Sequence, residues 1–374
     1  MLPQDADNAI LVGRFWDEDA NGPALCAIQD DTIADITDAT APTMRDLLEL
    51  DDPAVYVKAR LAEACKLGSI REIEAVKLLA PCDLQAIKAC GVTFARSMVE
   101  RVIEERAAGD PAAADAIRAR CKALIGDRLS DLKAGSAQAI EIKNALISEG
   151  MWSQYLEVGI GPDAEVFTKS QPMSAVGCSA DVGLHPASTW NNPEPEIVLA
   201  VNSRGAIQGA TLGNDVNLRD IEGRSALLLG KAKDNNASCA IGPFIRLFDA
   251  KFTLDDIRTA ELKMTVTGQD GYTLTGHSAM SEISRDPVDL VAQTCGAHHQ
   301  YPDGFMLFLG TLFAPTEDRD VPGEGFTHKI GDVVRITSAR LGTLENTVRL
   351  STDCAPWTFG AAALMRNLAG RKLI

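Results

Sequence analysis

Apolar and polar positions alternate in two short runs near the start of the chain. Residues 9–15 and 24–28 have the pattern of β-strands, and the polar stretch DEDANG between them has the composition of a turn. In residues 43–50 and 54–67 the apolar positions instead recur at helical spacing, with charged residues between them. The pattern predicts a small mixed α/β domain over residues 1–85.

The second part of the chain begins with an apolar run at residues 87–94, which predicts a buried strand. Residues 98–150 follow and are rich in Ala, Glu and Arg, so they favour helices. A further helix is predicted over residues 286–295, with Ser284 near its N-terminal cap. Strand-like apolar segments dominate the rest, at residues 197–201, 244–247, 261–266 and 305–309. The pattern predicts a β-rich core for the second part of the chain, residues 86–374.

Composition narrows the range of partners. Hydrophobic residues make up 46% and charged residues 24% of the chain, as in ordinary water-soluble proteins. The net charge of −16 argues against nucleic acid or an anionic membrane surface as a partner. The chain has no apolar run long enough to span a membrane and no signal-peptide pattern, and its nine scattered cysteines are an odd number. We therefore expect a cytoplasmic protein with reduced thiols.

Three carboxylates predict a metal site. Glu194 and Glu196 precede the apolar run, and side chains two positions apart on a strand point to the same side. Asp215 lies beyond a turn at Gly205, so a β-hairpin would return it to the two glutamates. Such all-oxygen ligands select hard cations, with Mg²⁺ expected and Mn²⁺ or Ca²⁺ as alternatives. The alternative is a solvated acidic face, but apolar strands on both sides favour the metal.

The spaced segments E-x-E, N-D-V-x-x-R-D, K-x-x-D and I-G-P resemble the fumarylacetoacetate hydrolase family. In that family the two glutamates and the first Asp of the second segment hold a divalent metal. The resemblance therefore implies this role for Glu194, Glu196 and Asp215. The family's active-site lysine lies ten residues before the Pro of I-G-P, which matches Lys233 rather than Lys231.

The resemblance runs from about Cys90 to the C-terminus and has consequences for fold and assembly. It implies a β-roll catalytic domain of the α+β class and a homodimer or higher homo-oligomer. Residues 98–150 are longer than the corresponding family loop, so we interpret them as a helical insertion. The insertion is either a lid over the metal, or else a surface helix pair or a contact between subunits.

One departure from the family concerns the catalytic water. The family has a histidine, followed three residues later by a glutamate, and this pair activates a water molecule. The corresponding segment here is GVTFARSMVE, so Ser97 replaces the histidine while Glu100 is kept. Without the imidazole, hydrolysis by an activated water is in doubt and Glu100 would act as a base alone.

Four further residues are candidates for substrate binding. The resemblance implies that Gly310 and Thr311, at the end of an apolar strand, supply a backbone N–H and a hydroxyl to a substrate carboxylate. Arg96 would clamp a carboxylate or hydroxyl group, or else face water at a helix start. Lys169 would lie near the substrate, or else be a solvated lysine at a strand end.

A 2-oxo acid that chelates the metal becomes acidic at C3, because the metal stabilises the enolate. If C4 carries a hydroxyl group and no hydrolytic water is poised, the enolate expels that group, and Ser97 favours this outcome. The segment from SRDPVDLV to APTEDRD also resembles the family branch that dehydrates 2-keto-3-deoxy-pentonates to 2-oxoglutarate semialdehyde, in non-phosphorylative pentose catabolism. In this interpretation Lys233 or Glu100 takes the C3 proton, and Glu100 with Ser97 protonates the departing hydroxyl.

Two alternatives to dehydration remain open at this point. A carbon–carbon hydrolase acting on an acylpyruvate or a diketo sugar acid would release pyruvate. A scaffold without turnover would bind a metal and a 2-oxo acid and return the acid unchanged.

Overall fold

The computed structural model describes residues 1–70, 77–94, 119, 133–148, 150, 152–311, 315, 317–320 and 325–374. Across these ranges the chain forms sixteen strands and nine α-helices. The strands are β1 (Leu11–Asp17), β2 (Gly22–Gln29), β3 (Thr32–Asp35), β4 (Cys65–Ser69), β5 (Leu78–Leu79), β6 (Ala86–Gly91), β7 (Glu165–Ser170), β8 (Asp181–Leu184), β9 (Pro195–Val201), β10 (Ile207–Asp215), β11 (Cys239–Leu247), β12 (Glu261–Thr267), β13 (Thr273–Ala279), β14 (Phe305–Phe308), β15 (Val333–Ser338) and β16 (Gly342–Leu350). The helices are α1 (Met44–Glu49), α2 (Pro53–Leu61), α3 (Ala137–Ser148), α4 (Gln154–Ile160), α5 (Arg219–Glu222), α6 (Leu229–Lys233), α7 (Leu254–Arg258), α8 (Pro287–Thr294) and α9 (Ala361–Gly370).

The larger of two sheets joins both parts of the chain. Its strand order is β4-β3-β2-β1-β11-β10-β9-β14-β6-β7, and β5 pairs with β1 outside this path. The N-terminal strands connect to the rest through β1 and β11, which pair antiparallel with Leu11 opposite Arg246. The division between residues 1–85 and 86–374 remains a prediction, since one sheet spans both.

The second sheet has the order β13-β12-β15-β16-β8 and packs on the first. Side chains alternate between buried and exposed along β12, which is typical of a sheet with one solvated face. Its buried side chains share one core with the larger sheet, where Leu199 of β9 and Leu212 of β10 pack with Met264 and Ile336.

The opposite face of the larger sheet is covered by α1 and α2. Met44, Leu47 and Val57 pack there with Val198 and Met306 of the central strands. Every residue of β9 is buried, because helices cover one face and the second sheet covers the other. The predicted β-rich α+β class is therefore confirmed, and the strand β9, which follows the two glutamates of the predicted metal site, lies in the most enclosed part of the fold.

One local prediction was wrong and another is confirmed. The helix expected over residues 54–67 ends at Leu61, and the chain enters β4 at Cys65, because pairing with β3 at the sheet edge outweighs local helical spacing. The helix predicted over residues 286–295 is confirmed as α8. Its N-cap is Asp286, two residues after Ser284, and the Asp286 side chain accepts a hydrogen bond from the N–H of Val288. Within the described ranges, no helix is long and apolar enough to cross a membrane.

Candidate metal centre and active-site cavity

The predicted β-hairpin is present and is formed by β9 and β10. Glu196 lies opposite Gly213, and Pro195 opposite Asn214, so the end of β10 returns to the start of β9. The N–H of Asp215 donates to the carbonyl oxygen of Glu194 at 3.0 Å. The two strand ends therefore carry all three carboxylates to one place.

Glu194, Glu196 and Asp215 form a compact carboxylate cluster. One oxygen from each side chain lies within 4.8 Å of the others, and all three residues are buried. The sequence prediction that these residues converge is confirmed. The donors are all carboxylate oxygens, which are the ligands that hard divalent cations prefer.

Two buried lysines contact the cluster. Nζ of Lys233, at the end of α6, lies 2.6 Å from Oε2 of Glu194 and 3.2 Å from Oδ2 of Asp215. Nζ of Lys169, on β7, lies 2.8 Å from Oδ1 of Asp215. Lys169 also donates to the carbonyl oxygens of Val216 and Lys233. The alternative of a solvated strand-end lysine at position 169 is wrong, because this side chain is fully buried.

Gly310 holds the third carboxylate by its backbone. Its N–H donates to Oε2 of Glu196 at 2.7 Å. The φ angle of Gly310 is +99°, and a Cβ atom there would lie 2.1 Å from Oγ1 of Thr93. Glycine is therefore required at this position, for both its backbone conformation and its space. The next residue, Thr311, lines the adjoining cavity.

Burial and mutual repulsion act unequally on the ionisable groups of the cluster. Burial, with the charges of Asp215 and Glu194, raises the pKa of Glu196 well above its ordinary value. Burial alone would raise the pKa of Asp215, but Lys169 and Lys233 outweigh it and lower that pKa. Burial alone would lower the pKa of Lys233, but Asp215 and Glu194 hold it above its ordinary value.

The residues present fit a divalent cation. The two lysines balance Glu194 and Asp215, whereas Glu196 accepts a hydrogen bond from the N–H of Gly310. A positive charge among the three carboxylates would relieve the repulsion that raises the pKa of Glu196. The donor set and this electrostatic imbalance both suit Mg²⁺ or a similar hard cation.

The cluster opens into a cavity of about 380 Å³. Glu194, Glu196, Asp215, Lys233 and Thr311 line one part of it. The remaining wall includes Gln154, Tyr155, Glu165, Phe167, Glu222 and Arg224. A small organic acid of five or six carbons fits a space of this size.

Two cavity carboxylates were missed by sequence reasoning. Glu165 pairs with Gly91, and its Oε2 atom would lie only 1.9 Å from a Cβ at that position, so the carboxylate occupies the space that the absent side chain leaves. The signal was available, since Glu165, Phe167 and Lys169 alternate along one strand and share a face. Glu222, at the end of α5, gave no comparable signal.

Three predicted catalytic or binding residues lie outside the described residues. These are Arg96, Ser97 and Glu100. The helical insertion over residues 98–150 also falls largely outside them, apart from α3 and a few flanking positions.

Comparisons with known proteins agree with the resemblance inferred from the sequence. Residues 162–349, about half of the chain, match the family model described as "Fumarylacetoacetate (FAA) hydrolase C-terminal". A probable 2-keto-3-deoxyxylonate dehydratase of Haloferax volcanii is 29% identical over 256 residues, covering 68% of this chain and 84% of that protein. A 2-dehydro-3-deoxy-D-arabinonate dehydratase of Saccharolobus solfataricus is 29% identical over 188 residues, covering 50% of this chain and 58% of that protein.

Solved structures confirm the fold. The apo form of a 2-keto-3-deoxy-D-arabinonate dehydratase superposes with a TM-score of 0.61 at 19% identity, covering 91% of this chain and 99% of that one. A structure of 2-keto-3-deoxy-D-arabinonate dehydratase complexed with magnesium and 2,5-dioxopentanoate gives a TM-score of 0.60 at 18% identity, with the same coverage.

Proposed function

This chain belongs to the fumarylacetoacetate hydrolase family, and on that premise we propose that it is a metal-dependent dehydratase. Its substrate would be a 2-keto-3-deoxy-pentonate and its product 2-oxoglutarate semialdehyde, in non-phosphorylative pentose catabolism. The observation that carries the proposal is the buried carboxylate cluster at one end of a cavity that also contains Glu165. The names of both curated relatives support the predicted hydro-lyase class.

Glu194, Glu196 and Asp215 would hold Mg²⁺, or Mn²⁺ or Ca²⁺ in its place. Bound there, the ion would supply Lewis-acid chemistry that polarises the C2 carbonyl of a 2-oxo acid and makes the C3 protons acidic. Thr311 lines the cavity beside Gly310, where its hydroxyl would anchor the substrate carboxylate. The N–H of Gly310 is used by Glu196, so we propose that Gly310 orients a metal ligand rather than the substrate.

Lys233 is better suited to be a fixed cation than a base. Its ammonium group donates to Glu194 and Asp215 at 2.6 and 3.2 Å, and the negative charge of these two carboxylates favours the protonated form. We propose that Lys233 keeps its proton and offsets the negative charge that develops on the substrate oxygen. Lys169 would support the site indirectly, by holding Asp215.

Glu165 is our candidate for the base. Glu165 and Glu222 are the two described carboxylates of the cavity that lie outside the cluster. Glu165 lines the same cavity as Glu196. Burial and then the charges of Glu196 and Glu165 raise the pKa of the Cys90 thiol, which also lines this cavity. A carboxylate at that position would accept a C3 proton.

The remaining step is the loss of the C4 hydroxyl. That group leaves as water when it receives a proton, for which Glu100 with Ser97 remains the predicted donor. Loss of the C3 proton and the C4 hydroxyl leaves an unsaturated 2-oxo acid, and its tautomerisation gives the semialdehyde. The reaction needs no oxidant or second substrate.

The test uses the purified protein with Mg²⁺ and synthetic 2-keto-3-deoxypentonates of both C4 configurations. Semialdehyde formation is followed by coupling to an NADP-dependent aldehyde dehydrogenase, with a chelator as control. Metal-dependent semialdehyde formation supports a dehydratase. Pyruvate release from an acylpyruvate, with no semialdehyde, would instead indicate a carbon–carbon hydrolase. Binding of a 2-oxo acid without turnover would indicate an inactive scaffold.

A further inference from the structure

Glu222 is tied to the metal centre through a single amide group. Nδ2 of Asn217 donates to Oε1 of Glu194 at 3.1 Å and to Oε2 of Glu222 at 2.6 Å. One side-chain nitrogen therefore bridges a metal-cluster carboxylate and a carboxylate on the cavity wall.

Asn217 is itself rigidly placed. It is fully buried, and its backbone exchanges two 3.0 Å hydrogen bonds with Asn192 in an isolated antiparallel bridge. Because the backbone of Asn217 is fixed, the two carboxylates that its amide contacts are also restricted in position. Asn217 acts as a positioning residue for Glu222.

We propose that Glu222 selects among 2-oxo acids by the chemical groups at C4 and C5, the part of the substrate that does not bind the metal. Its carboxylate accepts a hydrogen bond from a hydroxyl group on the substrate tail and repels a carboxylate there. The inference rests on the proposed function, because it assumes a 2-oxo acid whose first two carbons are held at the cluster.

The charges of the cavity support this selection. Five carboxylates line it among the described residues, against the cationic groups of Lys233 and Arg224. Glu222 also acts on Lys233: after Asp215 and Glu194, it raises the pKa of Lys233 against the effect of burial. Lys169 also contacts Asp215, so three cationic groups and a divalent cation would together offset the five carboxylates. The first carboxylate of a bound 2-oxo acid then adds one excess negative charge, which a second carboxylate on the same molecule would meet.

The position of Glu222 suits the tail of a five-carbon acid. A single amide nitrogen of Asn217 separates the carboxylate of Glu222 from that of Glu194, so an acid whose C1 and C2 are held at the cluster can bring its C4 and C5 groups to Glu222. Arg224 and Ser225 line the same cavity. The tail of a 2-keto-3-deoxy-pentonate carries hydroxyl groups at C4 and C5. A carboxylate is a strong acceptor for such groups.

The test compares two unreactive five-carbon acids that differ only at the remote end. 2-Oxopentanoate ends in a methyl group and 2-oxoglutarate in a carboxylate. Their dissociation constants from the Mg²⁺-loaded protein are measured by calorimetry. We expect wild type to bind 2-oxoglutarate about tenfold more weakly than 2-oxopentanoate, because of charge repulsion.

Glu222→Gln should bring this ratio close to one and raise the KM for the hydroxylated substrate severalfold. Its amide oxygen can still accept from Asn217, so the wall keeps its shape. Any change in metal affinity affects both acids equally and cancels in the ratio. Glu222→Asp retains the charge and should retain the discrimination. Glu261→Gln, at an exposed position on β12, is the matched control and should give the wild-type ratio.

An unchanged ratio in Glu222→Gln would overturn the inference, as would equal binding of both acids by wild type. Failure of the dehydratase proposal is distinguishable, because it would leave the semialdehyde assay negative while the ratio still responded to Glu222→Gln. Absence of binding by either acid would contradict both proposals.

Discussion

The ammonium group of Lys169 lies 2.8 Å from Oδ1 of Asp215, and both side chains are buried. Lys233 contacts the other oxygen of the same carboxylate. Asp215 is therefore held between two lysines from different elements, one on β7 and one at the end of α6. This arrangement fixes the orientation of the Asp215 carboxylate, which is one of the three proposed metal ligands.

Replacing Lys169 should destabilise the fold. Lys169→Met removes one of the two positive charges that face the buried carboxylate of Asp215. Because the remaining lysine compensates this charge only in part, we expect a loss of about 3 kcal/mol in the free energy of unfolding. Urea denaturation of the metal-free protein measures it. Lys58→Met is the control, because Lys58 is exposed and 3.7 Å from Asp249, and it should change stability by less than about 0.5 kcal/mol. Equal effects of the two changes would contradict a structural role for the Lys169–Asp215 pair.

Glu196→Gln should have opposite effects on metal binding and on stability. The amide removes one anionic ligand, so Mn²⁺ affinity should fall at least a hundredfold in calorimetric titration. The same change removes a buried charge whose repulsion by Asp215 and Glu194 raises its pKa. The metal-free variant should therefore be at least as stable as wild type at pH 8. A less stable metal-free variant would show that Glu196 stabilises the fold without a cation.

The stabilising effect of Mg²⁺ should grow with pH. A carboxyl group with a raised folded-state pKa stabilises the protein while protonated, and this contribution disappears as pH rises through the folded value. Glu196 should therefore cost the metal-free protein stability as pH rises above 4.5, the ordinary pKa of a glutamate. Asp215 titrates below this window, since its pKa is lowered. Thermal unfolding with Mg²⁺ and with EDTA should show a difference in Tm that increases with pH. In Glu196→Gln this difference should depend less on pH.

Glu165→Gln should abolish proton removal while leaving ligands bound. We expect kcat to fall about 10²- to 10⁴-fold, with Mg²⁺ affinity changed by less than a few fold. Exchange of the C3 protons of 2-oxopentanoate with D₂O, followed by NMR, isolates this step from loss of the hydroxyl. Wild-type exchange that persists in Glu165→Gln would assign the base to another residue. Glu261→Gln again provides the exposed control.

Gly310→Ala should disturb the cluster from the backbone side. A methyl group there would lie 2.1 Å from Oγ1 of Thr93, and alanine disfavours a φ of +99°. We expect a loss of about 1–3 kcal/mol in stability. Mg²⁺ affinity should also fall, because the N–H of Gly310 would no longer be aligned with Glu196. Normal metal affinity in a folded variant would argue against this orienting role.

The carboxylate cluster could be predicted from the sequence because strand periodicity and one turn, both local features, bring its three residues together. Strand periodicity puts Glu194 and Glu196 on one side, and a single turn at Gly205 is enough to return Asp215. The same reasoning left Lys169 ambiguous, since its burial depends on contacts with Val216 and Lys233, which are remote in sequence.

Glu222 could not have been found by such rules. Its connection to the site passes through Asn217, which is fixed by a bridge to Asn192, and no periodicity in the chain encodes that contact. The roles of Arg96, Ser97 and Glu100 stay predictions, as do the homo-oligomer, the cytoplasmic location and the division into two domains.

Pairing of β1 with β11 limits how this protein can be rearranged. Strand β11 also pairs with β10, which carries Asp215. A single strand, β11, therefore separates the N-terminal strands from the β9–β10 hairpin in the same sheet. A chain cut after residue 85 would leave β11 with an open hydrogen-bonding edge and would strip α1 and α2 from an apolar face. Such a fragment should self-associate, and chimeras between relatives should succeed only when the N-terminal strands and the hairpin come from the same parent.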